Sequence, residues 1–129
     1  INEIVFIRII NQNSEDFFLK NNINPEAISY NYPYPQACYN NVIENIIISI
    51  ESPLYDTKIS YGEQTDVLTF ESQQLGSDID GFLMCFNGEQ CTQIIQDAER
   101  INATVNLFYL NDICNVNIPE KYITTFIKE

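Results

Sequence analysis

The sequence predicts an α+β fold, with a mostly antiparallel sheet or two packed sheets and one amphipathic helix at about residues 88–101. Runs rich in isoleucine, valine and aromatic residues recur along the chain between polar turns, which indicates strands. One stretch instead repeats apolar residues at helical spacing. An all-β sandwich with one surface helix is the alternative that the same strands permit. At 129 residues, 45% of them hydrophobic, the chain is expected to form a single domain, 1–129.

The first predicted strand, residues 1–10, is apolar on both faces apart from Arg8. Such a strand needs cover on both sides, so we expect it either to be central in its sheet or to pair with another copy of the chain. Residues 11–41 are rich in Asn, Tyr and Pro and lack a sustained period. They are predicted to be irregular, with one short helical turn capped by Ser14.

Strand patterns return in the middle of the chain. The runs VIENIIISI, YDTKISY and DVLTFES come first, and two or three of them are expected to form an antiparallel meander. GFLMCF is predicted to be another buried strand. The helix that follows is capped by Asn87, and its apolar face consists of Cys91, Ile94, Ile95, Ala98 and Ile101. A strand at 103–110 is expected after the helix, which predicts a right-handed crossover to a parallel strand. The pattern YITTFIK predicts the last strand.

The charge balance is strongly acidic and limits the partners. Six basic and eighteen acidic side chains give a formal net charge of -12, which repels nucleic acid and anionic lipid head groups. No apolar run approaches the roughly 20 residues that cross a bilayer, so membrane insertion is not expected. A basic protein partner suits this surface, and plain solubility is the other interpretation.

Four cysteines, Cys38, Cys85, Cys91 and Cys114, are expected to form two disulfides. The alternatives are free buried thiols or a metal site, but the chain has no histidine and no cysteine spacing typical of zinc. Four cysteines allow three pairings. The short FNGEQ stretch can close a loop between Cys85 and Cys91, which leaves Cys38 to pair with Cys114. Disulfides indicate a secreted or extracellular location, including the ectodomain of a cell or virion surface protein.

One glycosylation sequon agrees with that location. Asn102, followed by Ala103 and Thr104, is the predicted acceptor, and the motif suggests an exposed turn. A secreted, disulfide-bonded glycoprotein is therefore expected.

Few catalytic groups are available. The absence of histidine excludes Ser-His-Asp and Cys-His relays in their ordinary form. No phosphate-binding loop or other cofactor motif occurs, so no cofactor is expected. Carboxylates remain, since Glu63, Asp66 and Glu71 flank one strand, and SDIDG, with Asp78 and Asp80, resembles part of a calcium loop without its full ligand set. Solvated turn acids are the simpler interpretation, and no metal site is predicted.

The segment that contains Tyr30, Tyr32, Tyr34 and Tyr39 is the most unusual local feature. Alternating Tyr and Pro favour an extended backbone that needs little ordering on binding, and tyrosines offer large amphipathic contacts. These four tyrosines are predicted to bind a partner. The alternative is a strap over the core, held by Cys38, with its tyrosines half buried.

The function that remains is a non-catalytic extracellular recognition or assembly module of the adhesion, receptor-binding or secreted effector type. A structural subunit of a coat, matrix or filament is the second hypothesis, since residues 1–10 could complete a neighbouring sheet in a homo-oligomer. A carboxylate-only hydrolase or a calcium-dependent binder is the third.

Overall fold

The computed structural model describes residues 3–51, 53, 55–77 and 79–129. These residues form two β-sheets and one long helix, which confirms the α+β fold class. The described strands are β1 Ile4–Ile10, β2 Ser29–Tyr30, β3 Gln36–Asn40, β4 Asn45–Glu51, β5 Thr57–Tyr61, β6 Gln64–Gln74, β7 Asp80–Phe86, β8 Gln90–Ile95 and β9 Ile123–Ile127. The helices are α1 Phe17–Lys20 and α2 Ala98–Leu110, with short 3-10 turns at Pro25–Ala27 and Glu120–Tyr122. None of the described helices is long and apolar enough to cross a bilayer.

β1 lies inside the first sheet, whose strand order is β3-β4-β1-β9. It pairs antiparallel with β4 and parallel with β9. Of the two placements predicted for residues 1–10, the structure shows the central one. Pairing with another copy is wrong for the described part of this strand, because both of its edges already have partner strands. Residues 1 and 2 lie outside the described residues.

The second sheet has the order β2-β5-β6-β7-β8, and all its neighbouring strands are antiparallel. β5 and β6, which carry YDTKISY and DVLTFES, are two of the strands predicted for the meander, and β7 and β8 extend it. β4, which carries the VIENIIISI pattern, belongs instead to the first sheet, because it forms a hairpin with β3.

Alternating side chains of the first sheet build two apolar layers. Ile46, Ile48 and Ile50 of β4 belong to the core between the two sheets, which also contains Leu68 of β6. Ile47 points the other way and packs in a second cluster with the apolar face of α2. Because both faces of this sheet are covered, its strands are apolar on both sides. The protein therefore has three layers: α2, the first sheet and the second sheet.

Residues 11–41 contain more regular structure than predicted, namely α1, β2 and β3. The cap of α1 is Asp16, whose Oδ1 accepts the N–H of Leu19 at 3.0 Å. The prediction of Ser14 as the cap is wrong. Ser14 has a left-handed backbone with φ of 61°, whereas a capping residue has an extended one.

The helix lies further along the chain than the predicted 88–101. Asn87 and Gly88 both have positive φ, 53° and 71°, and so form the turn between β7 and β8 rather than a helix cap. α2 starts after Asp97, whose Oδ1 accepts the N–H of Arg100 at 2.8 Å. The strand predicted at 103–110 is the body of α2, so the predicted crossover is also wrong. α2 connects β8 of the second sheet to β9 of the first.

Candidate functional site

The tyrosine-rich segment runs along one edge of the second sheet. β2 pairs there with β5, and Asn31 extends the pairing with its side chain. Its Nδ2 donates to the Asp56 carbonyl oxygen at 3.0 Å, and its Oδ1 accepts the N–H of Lys58 at 2.8 Å. The side-chain amide thus fixes the segment to the start of β5.

Three tyrosine rings cluster beside this anchor. The hydroxyl of Tyr32 shares a hydrogen bond of 2.6 Å with Thr57 Oγ1, which fixes the ring. The rings of Tyr34 and Tyr55 contact Tyr32 edge-on, with centroids 6.0 and 6.1 Å away. Tyr34 is 51% exposed and Tyr55 62% exposed. We call Tyr32, Tyr34 and Tyr55 the tyrosine surface.

The backbone around the tyrosine surface is held in place on both sides. Pro33 is exposed, whereas Pro35 is buried, and each proline fixes its own φ near -65°. Burial raises the pKa of Tyr32, and the hydrogen bond from Thr57 acts in the opposite direction. The tyrosine surface therefore presents aromatic faces on a backbone and a Tyr32 ring that are held in place.

The four predicted contact tyrosines divide into two pairs. Tyr32 and Tyr34 are in the tyrosine surface, whereas Tyr30 and Tyr39 pack against the core between the sheets. The Tyr30 hydroxyl is buried without a hydrogen-bond partner among the described residues, and burial raises its pKa. Tyr30 and Tyr39 thus fit the strap interpretation. Sequence reasoning missed Tyr55, because only the pairing of β2 with β5 brings it to this edge.

Two disulfides are present and join the predicted pairs. Cys38 of β3 is bonded to Cys114, which follows α2, with a sequence separation of 76 residues. Cys85 and Cys91 are bonded across the β7–β8 hairpin, where they are directly opposite each other. The first disulfide holds the end of the strap, since β3 comes directly after the tyrosine-rich residues.

Asn102 is exposed, but it lies within α2 and not in the expected turn. The third residue of its sequon, Thr104, is fully buried and donates its hydroxyl proton to the Arg100 carbonyl oxygen at 2.9 Å. The prediction of a turn is wrong because the helix was expected to end at residue 101, whereas α2 continues to Leu110. Glycosylation at Asn102 stays a prediction.

The carboxylates considered for catalysis do not converge on one site. Asp66 points into the protein and is 2% exposed. Glu71 is an odd number of positions further along β6, so its side chain points to the opposite face of the strand, where it is exposed. Glu63 lies in the turn before β6, and Asp80 is exposed at the start of β7. Asp78 is outside the described residues. Within the part of the chain that is described, no group of three His, Cys, Asp or Glu side chains could hold a metal ion.

No family model, curated protein or solved structure matches this chain. Inferences about function therefore rest on the chain's own surface, charges and disulfides.

Proposed function

We propose that this domain is a non-catalytic extracellular recognition module that binds a protein partner through the tyrosine surface. The observation that carries the proposal is the clustering of three tyrosine rings at an exposed edge, with Tyr32 hydrogen-bonded to Thr57 and Asn31 anchored on β5. Because these groups are already ordered, binding loses little conformational entropy. Tyrosine is also among the residues that most often dominate binding energy in protein interfaces.

The chemistry of the surface favours a partner that presents arginine or lysine. Six basic side chains cannot balance eighteen acidic ones, and in the described part of the chain five of the six already form ion pairs. Asp56 is exposed next to Tyr55. The faces of tyrosine rings attract guanidinium and ammonium groups, and a carboxylate beside them adds to this attraction. We therefore propose a basic segment of another protein as the partner.

The two disulfides support an extracellular location. Such bonds form and persist in oxidising compartments and are rare in the cytosol. An adhesion domain, a receptor-binding domain or a secreted effector, whether free or as the ectodomain of a surface protein, is consistent with this chemistry. Glycosylation at Asn102 belongs to the same proposal.

Alanine substitutions in the tyrosine surface test the proposed contact. The partner is isolated from the extracellular fraction of the source on immobilised wild-type domain, and its Kd is then measured for each variant. Tyr34→Ala and Tyr55→Ala are each expected to raise Kd about fivefold or more, which corresponds to about 1 kcal/mol. The melting temperature should change little, because both rings are more than half exposed.

Tyr109→Ala is the matched control, since this tyrosine is 49% exposed on α2, away from the second sheet. It should leave Kd unchanged. High salt should weaken binding of a basic partner to the wild type. An unchanged Kd for both Tyr34→Ala and Tyr55→Ala, or an equal loss for Tyr109→Ala, would show that the partner binds elsewhere.

A further inference from the structure

A partly buried lysine and a buried aspartate meet between the two sheets. Lys128 directly follows β9 of the first sheet, and Asp66 lies on β6 of the second. The Nζ of Lys128 is 2.5 Å from Asp66 Oδ1, and the two side chains are 17% and 3% exposed. This pair therefore connects the sheets, with the aspartate buried and the lysine partly shielded from water.

Two further side chains act on the same carboxyl group. Tyr61 donates its hydroxyl proton to Asp66 Oδ2, and the same hydroxyl accepts a hydrogen bond of 2.5 Å from Lys128 Nζ. Asn87 Nδ2 donates to Asp66 Oδ1 at 3.0 Å. Asn87 is itself fixed, because its Oδ1 accepts the N–H of Val67 at 2.8 Å. Both carboxyl oxygens thus have a donor, and the amine nitrogen lies beside the carboxyl group.

The surroundings of the amine are aromatic. Lys128 Nζ lies 5.4 Å from the ring centroid of Phe17 and 5.0 Å from that of Tyr61. The rings of Phe86 and Phe126 are stacked, with centroids 5.1 Å apart. Phe86 ends β7 directly before Asn87, and Phe126 lies in β9, which ends directly before Lys128. The ring faces attract the ammonium, but removing two full charges from water is still costly, and their conversion into one neutral amide removes that cost.

We propose that Lys128 and Asp66 condense to an intramolecular isopeptide bond, which makes this cluster a self-modification site. The geometry gives each group a role. The Nζ of Lys128 is the nucleophile, and the Cγ of Asp66 is the electrophile. Tyr61 relays the proton between them, and Asn87 stabilises the oxygen that stays in the product.

The reaction balances without an oxidant, a reductant or a second substrate. Tyr61 passes its hydroxyl proton to Asp66 Oδ2 and takes one proton from the Lys128 ammonium, which leaves a neutral amine and a neutral carboxylic acid. The amine lone pair attacks Cγ, and negative charge develops on Oδ1, where the Asn87 N–H points. A second proton moves from the nitrogen to Oδ2, the bond from Cγ to Oδ2 breaks, and one water molecule leaves. The product is an amide between Nζ and Cγ.

The intact mass of the purified chain, measured after reduction and denaturation, tests this proposal. We expect a mass lower than the sequence mass by one water molecule. Tandem mass spectrometry of a tryptic digest should then show a branched peptide in which residues 66 and 128 are joined. A chain at its full sequence mass would overturn the proposal, and so would a loss of water located at any other residue.

Variants separate the cross-link from dehydration elsewhere and test the relay. Lys128→Arg and Asp66→Ala should return to their full sequence masses, whereas Lys121→Arg, the control lysine, should keep the deficit. Tyr61→Phe keeps the ring and removes the relaying hydroxyl, so it should remain at full mass when the wild type has reacted. Water loss by Tyr61→Phe at the wild-type rate would overturn the role given to Tyr61. The proposal is independent of the tyrosine surface, because none of these measurements involves a partner.

Discussion

Two largely buried ion pairs connect the three layers, and they differ in how completely their atoms are hydrogen-bonded. In the pair between the sheets, both oxygens of Asp66 accept hydrogen bonds and Lys128 Nζ has two acceptors. In the pair between α2 and the start of β1, Arg100 Nε donates to Glu3 Oε1 at 3.1 Å, and Gln96 Nε2 donates to Glu3 Oε2 at 3.5 Å. Arg100 Nη2, however, is buried without a partner among the described residues.

The comparison shows that burial alone does not determine what an ion pair contributes. Burial raises the pKa of Glu3, and the neighbouring Arg100 only partly opposes this effect. A buried pair stabilises a fold only when its attraction and hydrogen bonds exceed the free energy of removing both charges from water. The Lys128–Asp66 pair has the contacts that the proposed amide formation requires. In the Arg100–Glu3 pair, Nη2 of Arg100 lacks a hydrogen-bond partner among the described residues, so this pair is a candidate for replacement by apolar residues.

The largest effect is expected when the Arg100 pair is broken on one side. Arg100→Met leaves the Glu3 carboxylate buried without its cation, and we expect a loss of about 3 to 5 kcal/mol in the free energy of unfolding. Urea denaturation of the two proteins at neutral pH measures this difference.

The double variant Glu3→Leu with Arg100→Met tests the pair as a whole. Because it removes both buried charges, it should recover most of the stability that Arg100→Met loses. The contact of Arg100 with the ring of Tyr122, 5.8 Å from the guanidinium carbon to the ring centroid, is lost in both variants and does not affect the difference between them. A double variant as unstable as the single one would mean that the pair is a net stabiliser.

The strands and the long helix differ in how well the sequence predicts them. Apolar runs between polar turns are a local property, so β1, β5, β6 and β7 could be found from the sequence alone. Residues 90–101 fit helical spacing as well as they fit a strand followed by the first turn of α2. Only pairing with β7, together with the turn at Asn87 and Gly88, decides between the two. A long-range contact here overrode the local pattern.

The sites show the same limit. Tyr32 and Tyr34 could be predicted because they are close in sequence, whereas Tyr55 joins them only through sheet pairing. The Asp66 cluster collects Tyr61, Asn87 and Lys128 from separate elements, and no spacing in the sequence connects them. The disulfide partners could be predicted because Cys85 and Cys91 are close enough in sequence to close a short loop, which leaves Cys38 and Cys114 to pair with each other.

The two disulfides also differ between these regions, since one lies near the Arg100–Glu3 pair in the chain and the other lies in the hairpin next to the Lys128–Asp66 pair. Cys38–Cys114 fastens the segment after α2 to the first sheet and closes a separation of 76 residues. Cys85–Cys91 closes only 6 residues, in the hairpin that supplies Asn87. Because a cross-link reduces the entropy of the unfolded chain more when the loop is longer, removal should cost about 4 kcal/mol for the first and about 2 kcal/mol for the second.

The measurement compares Cys38→Ala/Cys114→Ala with Cys85→Ala/Cys91→Ala in equilibrium unfolding. The wild type should show no reactive thiol when denatured without reductant, because all four cysteines are paired. Equal losses for the two variants would mean that contacts in the folded state, and not loop length, set the contribution of each bond.

The smallest expected effect is a pH dependence that arises from Glu3. Its pKa in the folded protein is raised above the ordinary value of 4.5 by burial, against the opposing effect of Arg100. The folded state therefore holds the Glu3 proton more tightly than the unfolded state, and this contribution to stability is complete below pH 4.5. It is lost as the pH rises through the folded pKa, at about 1.4 kcal/mol for each unit by which the two pKa values differ. Glu3→Gln cannot titrate, so the free energy of unfolding of the wild type minus that of Glu3→Gln should fall as the pH rises above about 4.5. The subtraction removes the titration of the other acidic residues. A difference that rises with pH instead would mean that the ion pair outweighs burial, and the contrast with the Lys128 pair would then disappear.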